Sequence, residues 1–198
     1  MEKKATAAMP HPIILASASP RRRDLLLGMG LTFTVKCADV DESIPEGMWP
    51  QEAVEMLSRR KAEAVPSEDA VVIAADTVVA LGDLILGKPQ DEAHARRMLC
   101  MLSGRTHEVF TGVTVAYRGR ILTDSAATSV TFRTMTDDDI TAYIKTGEPM
   151  DKAGAYGIQG LGGALVTEIE GDFDNVVGLP CRLLAEMLSK ITAKDTEK

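Results

Sequence analysis

The sequence has few residues of the kinds that build metal centres and disulfide frameworks. Its 198 residues include three cysteines and three histidines, and no two cysteines form a CxxC pair. Cysteines that are few and far apart indicate a reducing compartment, and scattered histidines argue against a zinc site. Aromatic residues make up 4% of the chain, which is too few for the stacking platforms of proteins that bind single-stranded nucleic acids.

Long hydrophobic runs, repeats and low-complexity linkers are missing as well. The apolar runs fall far short of the roughly 20 residues that cross a membrane. Lys3 and Lys4 precede a short apolar patch that Pro10 and Pro12 interrupt, which is unlike a signal peptide. The net charge of −7 argues against a general nucleic-acid binder. We therefore predict a cytoplasmic protein whose partner is neither a membrane nor a nucleic-acid polymer.

The composition suits a globular protein with a substantial core, because 45% of the residues are hydrophobic and 26% are charged. We expect one domain over residues 1–198, with residues 1–11 and 193–198 as frayed ends. Apolar runs and turn signals predict a short strand from Ile13 and strands at 31–36, 71–75, 78–81, 107–115, 120–132 and 164–169. Helices are predicted at 20–28, 51–65, 90–102, 136–146 and 179–191. This alternation predicts an α/β fold with a mixed twisted sheet and flanking helices.

The stretch from Ile13 to Leu26 contains a strand, a Ser-X-Ser turn and a helix with an unusual start. Ser19 is a good N-cap and Pro20 suits the first helical position. The helix dipole disfavours three arginines at positions 21–23 unless an anion binds there. This arrangement predicts a phosphate site, and the alternative is a solvated basic helix end.

Asp76 follows a continuous apolar strand, where a carboxylate is costly to bury unless it is paired or binds a metal. Ligand clefts form at the ends of such strands in open α/β sheets. The alternative is that Asp76 only caps a turn.

Three further charged residues are candidates. Lys88 lies between Gly87 and Pro89, so its backbone is stiff enough to place a point charge on a phosphate. Glu42 lies in an acidic loop and could give a divalent metal a second carboxylate. Taken alone, both residues are more often solvated surface charges, and Lys61 is open to the same reading.

The run from Asp151 to Gly160 is rich in small residues, which let a ligand approach the backbone closely. Gln159 offers a donor and an acceptor, which suits the edge of a nucleobase. The alternative is a glycine-rich connection with an incidental amide. Gly160, Gly162 and Gly163 resemble a phosphate loop, but they lack the Lys-Ser/Thr pair of a P-loop.

Together these motifs resemble those of the Maf family of nucleoside triphosphate pyrophosphatases. They occur in family order and cover nearly the whole chain between Ile13 and Leu188. The matching runs are Leu15 to Arg22, Ala75 to Val79, Gly87 to Pro89, Leu102 to Gly104, Thr111 to Val113, Gly147 to Pro149, Asp151 to Gly160 and Asn175 to Pro180.

The resemblance implies a Maf/ITPase-like fold, with two lobes around a central cleft. It implies hydrolysis of a nucleoside triphosphate between the α and β phosphates, with a divalent metal, Mg²⁺ or Mn²⁺. Asp76 matches the catalytic base, and the phosphate-contacting positions are matched by Ser17, Arg21, Arg22, Lys61 and Lys88. Glu42 matches an acidic position in the cleft, so Glu42 and Asp76 are the expected metal ligands. Asp76 could act on the water directly or through the metal.

The resemblance also bears on the substrate. Arg21, Thr77 and Gln159 match the positions that separate the dTTP/UTP branch from the 7-methyl-GTP branch, and the Asp151 to Gly160 run resembles the first. We therefore expect dTTP and UTP as substrates, with modified nucleotides and a link to cell-division arrest as further expectations. One alternative is a pyrophosphatase for 7-methyl-GTP or other non-canonical nucleotides. Another is a nucleotide-binding regulator of septum formation that needs no turnover. A homodimer is compatible with the resemblance.

Overall fold

The structure, a computed structural model, describes residues 11–193. Within them the strands are β1 (Ile13–Leu15), β2 (Thr34–Val35), β3 (Val71–Leu81), β4 (Leu84–Leu86), β5 (Thr106–Tyr117), β6 (Arg120–Phe132) and β7 (Val166–Glu170). The helices are α1 (Pro20–Gly28), α2 (Pro50–Glu63), α3 (Glu92–Leu102), α4 (Asp137–Lys145), α5 (Phe173–Val177) and α6 (Cys181–Thr192). Short 3-10 turns cover Glu148–Asp151, Ala153–Ala155 and Leu161–Leu165. The chain ends that were expected to fray lie almost wholly outside the described residues.

The strands form one mixed sheet, as predicted. Its order is β2-β1-β3-β5-β6-β7, and β4 pairs with β3 beside this path. β1 runs parallel to β2 and β3, and the other pairs are antiparallel. Helix α2 packs on the face of β3 that carries Val72 and Ala74, whereas α6 packs on the face that carries Val71 and Ile73. The sheet is therefore covered by helices on both sides.

β3 has different neighbours along its two edges. On one edge β5 pairs with it continuously from Val72 to Ala80. On the other edge β1 pairs with residues 71–73 and β4 pairs with residues 79–81. In the described chain no strand pairs with residues 74–78 on that second edge. Asp76 and Thr77 therefore lie in the middle of a strand, beside an opening in the sheet.

Two hydrophobic cores lie on either side of this opening. The first contains residues 71, 73 and 75 of β3 together with residues of α1 and α6. The second contains Val79 of β3 together with residues of α3, of α4 and of residues 147–163, which form the glycine-rich segment. β5 contributes to both cores, through Val113 and Val115 in the first and Val109 in the second. Two lobes thus share the sheet and meet at a cleft, which is the predicted architecture.

Three differences from the predicted strands affect the architecture most. The break expected at Asp76 and Thr77 does not exist, because β5 pairs with β3 through both residues. β2 is only two residues long, since Ile14 and Leu15 are its only partners in β1. β7 starts at Val166 because the residues before it form a 3-10 turn.

The predicted capping residues are confirmed at two helices, whereas the start of the last helix differs from the prediction. Ser19 caps α1, and Thr136 and Asp139 form a capping box at α4, as predicted. α6 begins at Cys181 rather than at residue 179, and α5 precedes it as a separate helix that was not predicted. Five residues are too few to produce a helical periodicity in the sequence.

α2 lies so close to β5 that one position between them has room only for glycine. A Cβ on Gly112 would collide with the backbone of Val54 and Glu55. Nearby, the hydroxyls of Ser58 and Thr114 share a buried hydrogen bond of 2.9 Å. This close contact sets the position of α2, and therefore of Lys61 in its last turn, relative to the sheet.

We expect Gly112→Ala to lower the free energy of unfolding by about 1–3 kcal/mol or more, because backbone rather than a flexible side chain would have to move. Gly28→Ala is the matched control, since no atom lies within 4 Å of a Cβ there and alanine favours a helix. Urea unfolding followed by circular dichroism measures both variants. Equal unfolding midpoints in the two variants would contradict the close packing of α2 on β5.

Candidate active site

A cavity of about 430 Å³ lies at the opening in the sheet. Its lining includes every residue to which a site role was assigned from the sequence: Ser17, Arg21, Arg22, Glu42, Lys61, Asp76, Thr77, Lys88 and Gln159. These residues come from the β1–α1 turn, the first turn of α1, the loop before α2, α2 itself, β3, the segment after β4 and the glycine-rich segment. The structure brings all of them together, while their individual roles stay predictions.

Cationic side chains outnumber carboxylates in the cavity lining. The five cations are Arg21, Arg22, Lys61, Lys88 and Lys152, and the three carboxylates are Glu42, Asp76 and Asp151. The chain as a whole carries a net charge of −7, so the sign of the charge is reversed locally. Such a cleft attracts anionic ligands and raises their local concentration.

The turn between β1 and α1 forms one wall of the cavity. The amide of Ala16 donates to the carbonyl of Ile73 at 2.8 Å, so the chain follows β3 one residue beyond β1. The Ser17 hydroxyl then accepts a hydrogen bond from the amide of Ser19 at 3.3 Å. The first turn of α1 contains no acidic residue. The positive end of the helix dipole therefore has no carboxylate from its own first turn.

Arg22 is held from three sides by neutral acceptors. Its Nε donates to the carbonyl of Gly178 at 2.8 Å, and its Nη1 and Nη2 donate to Ser17 Oγ and Thr77 Oγ1, each at 3.0 Å. A guanidinium has five N–H groups, so two remain for a ligand. Burial lowers the pKa of Arg22, and the charge of Asp76 opposes that shift. Arg22 joins α1, β3 and the segment after α5.

The hydroxyl of Thr77, which accepts from Arg22, belongs to a chain of hydrogen bonds that all donate in the same direction. Thr111 Oγ1 donates to the carbonyl of Asn175 at 3.0 Å. Because a hydroxyl has one proton, Thr77 must be the donor in its 2.9 Å bond with Thr111. Thr77 in turn accepts from Arg22. In this arrangement the Thr77 hydroxyl has no proton left for a ligand.

The ammonium of Lys61 lies between the carboxylates of Glu42 and Asp76. The distances from Nζ are 2.6 Å to Glu42 Oε1 and 2.5 Å to Asp76 Oδ1. The Lys61 and Asp76 side chains are 15% and 13% exposed, whereas that of Glu42 is 51% exposed. The hydrogen bond from Lys61 lowers the pKa of Glu42 below its ordinary value, and the charge of Lys88 contributes to this shift. All three side chains of the cluster are thus coupled by charge.

The loop that carries Glu42 is fastened to α2 by the residue next to Lys61. Arg60 Nη1 donates to the carbonyls of Asp41 and Ser43, at 3.1 and 3.3 Å. The side chain of Asp41 accepts from the amide of Ser43 at 2.9 Å, which tightens the loop. Consecutive residues of α2 therefore position the loop and bind its glutamate.

Arg21 and Lys88 are held less firmly. Arg21 Nη1 lies 3.7 Å from Asp151 Oδ2, which is an ion pair across the cleft between the two lobes. Lys88 is exposed and follows Gly87, whose carbonyl accepts from the amide of Gly154 at 3.1 Å. Both cations can therefore turn towards a ligand without breaking a tight internal bond.

Another part of the cavity wall is apolar and carries one amide side chain. The apolar lining consists of Val79, Val109, Tyr156, Ile158, Val176 and Val177. The Tyr156 hydroxyl is bonded to Nε2 of the buried His107 at 2.8 Å, and burial lowers the pKa of His107 to about 4. Gln159 is exposed beside this wall. The combination suits a flat apolar ring with a polar edge.

Sequence reasoning missed residues that hold the site together. Thr111 and Asn175 lie within motifs noted above, but their contacts to Thr77 depend on strand pairing and helix packing. The glycines that resemble a phosphate loop, Gly160, Gly162 and Gly163, have a different role in the structure. The amides of Leu161 and Gly162 donate to the carboxylate of Glu148, at 2.9 and 3.0 Å, so this loop binds an anion of its own chain.

Residues 11–193 contain no cluster of three or more His, Cys, Asp and Glu side chains that could hold a metal ion. The cavity offers the pair Glu42 and Asp76 instead. In the same part of the chain, every helix is too short or too polar to cross a membrane.

We expect Lys61→Met to lower stability near neutral pH, because two carboxylates would then face each other without the cation. The cost should lie between the roughly 1 kcal/mol of an exposed ion pair and the roughly 3 kcal/mol of a buried one. Repulsion raises the folded-state pKa of one carboxyl group above its unfolded value. The variant is therefore less stable than the wild type above that pKa, and the difference in the free energy of unfolding becomes smaller as the pH falls below it.

Thermal unfolding at pH 7.5 and pH 4 measures this difference, with Lys190→Met on the exposed face of α6 as the control for loss of one charge. An equal effect of Lys61→Met at the two pH values would contradict the coupling of the two carboxylates.

The chain is similar to known proteins over most of its length. A sequence model described as Maf-like protein matches residues 12–191. A dTTP/UTP pyrophosphatase of Moorella thermoacetica is 53% identical over 181 residues, which cover 89% of this chain and 93% of that protein. The dTTP/UTP pyrophosphatase of Halalkalibacterium halodurans is 50% identical over 171 residues, covering 85% of this chain and 90% of that protein.

A solved structure, that of the Staphylococcus aureus Ham1 protein, matches with a TM-score of 0.51 at 13% identity. The match covers 92% of this chain and 99% of that one, and at this identity it concerns the fold alone. The two proteins therefore share an overall fold. The family model matches nearly all of the described residues, and the two relatives above are identical to this chain at about half of the aligned positions. The chain therefore belongs to the Maf family.

Proposed function

We propose that this chain is a nucleoside triphosphate pyrophosphatase that hydrolyses dTTP and UTP to the monophosphate and pyrophosphate. The observation that carries the proposal is that cations outnumber carboxylates in the cavity that contains Asp76. Relatives named dTTP/UTP pyrophosphatase share at least 50% identity over most of both chains, which supports the same substrates here.

The β1–α1 wall is the proposed site of the triphosphate. Arg22 is positioned there by neutral groups, so its positive charge is not cancelled by a direct carboxylate partner. Arg21 and Lys88 add charges that can turn towards the phosphates, and Ser17 lies beside them. Neutralising the phosphates lowers the repulsion that a nucleophile meets, and stabilises the charge of the transition state.

Asp76 is the proposed catalytic residue. Lys61 contacts its Oδ1, so the other carboxylate oxygen remains for a water molecule. A water held there is oriented or deprotonated by Asp76 and attacks the α-phosphorus, while pyrophosphate leaves. Lys61 fixes the direction of the carboxylate through its tight ion pair. Lys61 is therefore proposed to act on catalysis through Asp76 as well as through its charge.

A divalent cation, Mg²⁺ or Mn²⁺, completes the proposal. Glu42 and Asp76 provide hard oxygen ligands, and the ammonium of Lys61 already lies between them, so positive charge is accommodated there. Two carboxylates suit Mg²⁺, which takes its other ligands from water and substrate phosphates. When bound, such an ion neutralises phosphate charge and polarises the phosphoryl oxygens.

Arg21, Thr77 and Gln159 are the proposed specificity residues. The Gln159 amide can both donate to and accept from the edge of a pyrimidine. Thr77 acts through Arg22, because its hydroxyl proton is committed to Thr111. The two alternatives, a 7-methyl-GTP enzyme and a nucleotide-binding regulator without turnover, are not favoured by the names of the relatives.

We also propose a cytoplasmic location, where nucleoside triphosphates are available and the free cysteines stay reduced. A homodimer is a separate prediction that sedimentation velocity tests directly.

A substrate panel tests the proposed reaction. Pyrophosphate release is measured with dTTP, UTP, CTP and 7-methyl-GTP, each with Mg²⁺, with Mn²⁺ and with a chelator. We expect turnover of dTTP and UTP, loss of turnover with the chelator, and little release from 7-methyl-GTP. Strong turnover of 7-methyl-GTP with none of dTTP or UTP would overturn the substrate assignment.

The role of Asp76 is tested by Asp76→Asn. We expect pyrophosphate release to fall about 100-fold or more, which is the usual contribution of a general base. The affinity for a non-hydrolysable UTP analogue, measured by calorimetry, should change far less. Asp83→Asn, an exposed aspartate in the β3–β4 turn, is the matched control. Wild-type rates in Asp76→Asn would show that Asp76 is not needed for the chemistry.

A further inference from the structure

The loop that carries Gln159 is held by groups that do not line the cavity. The loop spans residues 157–162, and its first amide, that of Gly157, donates to the hydroxyl of Tyr143 at 3.1 Å. Its last two amides, those of Leu161 and Gly162, donate to the carboxylate of Glu148. Hydrogen bonds to the rest of the chain therefore hold the loop on both sides of Gln159.

Glu148 and Tyr143 form one unit. The Tyr143 hydroxyl donates to Glu148 Oε1 at 2.8 Å, and that same oxygen accepts from Gly162 at 3.0 Å. Glu148 Oε2 accepts from Leu161 at 2.9 Å. Tyr143 is 5% exposed and belongs to the second hydrophobic core, so the unit is anchored in the lobe itself.

The glycines of the loop make this close approach sterically possible. A Cβ on Gly160 would collide with the Glu148 carboxylate, and a Cβ on Gly162 would collide with the Tyr143 hydroxyl. The glycine-rich pattern therefore has a structural reason that does not involve a phosphate. Its amides bind a carboxylate of the same chain.

The carboxylate is in its charged form in this position. Burial of Glu148 by itself raises the pKa, but the amides of Gly162 and Leu161 and the Tyr143 hydroxyl more than offset it, so the pKa lies below the ordinary value. The backbone carbonyl of Glu148 also accepts from Lys152 Nζ at 2.7 Å, which ties a cavity-lining cation to the same turn.

We propose that Glu148, braced by Tyr143, is a positioning residue that fixes the orientation of Gln159 and thereby sets the selectivity for the nucleobase. The inference rests on the proposed function, in which Gln159 contacts the base. Neither Glu148 nor Tyr143 lines the cavity, so an effect of changing them on the substrate passes through the groups they hold, which are the loop and Lys152. Lys152 carries a charge for the phosphates rather than for the base, so a probe without a base separates the two routes. An amide that is held in place rejects a base with the wrong edge more strongly than one that can turn.

The first test is Glu148→Gln, which keeps the shape of the side chain but leaves one loop amide facing an NH₂ group. We expect the KM for UTP to rise about 10-fold, the effect of losing a hydrogen bond to a charged group. The ratio of kcat/KM for UTP over CTP should fall by a similar factor, since these bases differ in the donor and acceptor pattern of one edge. The kcat should change little.

Two controls separate the loop from the rest of the site. Glu168→Gln, on the exposed face of β7, removes the same charge and should leave both constants unchanged. Inorganic tripolyphosphate, a probe without a base, should inhibit Glu148→Gln as strongly as it inhibits the wild type. Weaker inhibition by tripolyphosphate, or an unchanged UTP-to-CTP ratio, would overturn the inference.

A second variant and a second measurement keep the inference testable if Glu148→Gln folds poorly. Tyr143→Phe removes only the hydroxyl and should shift the UTP-to-CTP ratio in the same direction. In both variants we expect amide hydrogen exchange to become faster in residues 157–162 while the strands of the sheet keep their protection. Unchanged exchange in the loop would overturn the inference. An inactive wild type would instead contradict the proposed function, and the exchange measurement would still test whether Glu148 and Tyr143 hold the loop.

Discussion

The site depends on the difference in length between β3 and its neighbours on one edge. β1 and β4 each cover three residues of that edge, and between them five residues of an eleven-residue strand stay uncovered. Because successive side chains point to opposite faces, Asp76 is directed towards α2 and Thr77 towards α1 and α5. The opening lets both side chains reach one cavity, although they belong to opposite faces of the sheet.

Two cations at this opening are held in opposite ways. Lys61 lies between two carboxylates, so its charge is balanced by direct partners and its side chain orients both of them. Arg22 is held by a carbonyl and two hydroxyls, so it is fixed in place while its charge remains unbalanced by a contacting carboxylate. An acidic chain can in this way present one fixed cation to a polyanion, while Arg21 and Lys88 stay free to turn towards it.

Much of this could be predicted from local sequence. The mixed sheet follows from the apolar strand runs and the hairpin, and the start of α1 follows from Ser19 and Pro20. The ordered motifs also identified the cavity residues correctly as neighbours. Local patterns could not show that β3 continues through Asp76 and Thr77. The strand continues because β5 pairs with both residues, although two polar side chains interrupt the apolar run. The link between Thr77 and Asn175 likewise depends on register and on a helix too short to leave a periodic signal.

The bond from Arg22 to the carbonyl of Gly178 joins positions that are 156 residues apart in the chain. Synthesis proceeds from the N-terminus, so α1 emerges from the ribosome long before its partner exists. Until the segment after α5 has been made and has folded back, the guanidinium lacks one of its three supports and the wall of the cleft is open at that point. Tight binding of a nucleotide is therefore expected only after the chain has been made beyond Gly178, because a shorter chain contains Arg22 but cannot yet hold it in place.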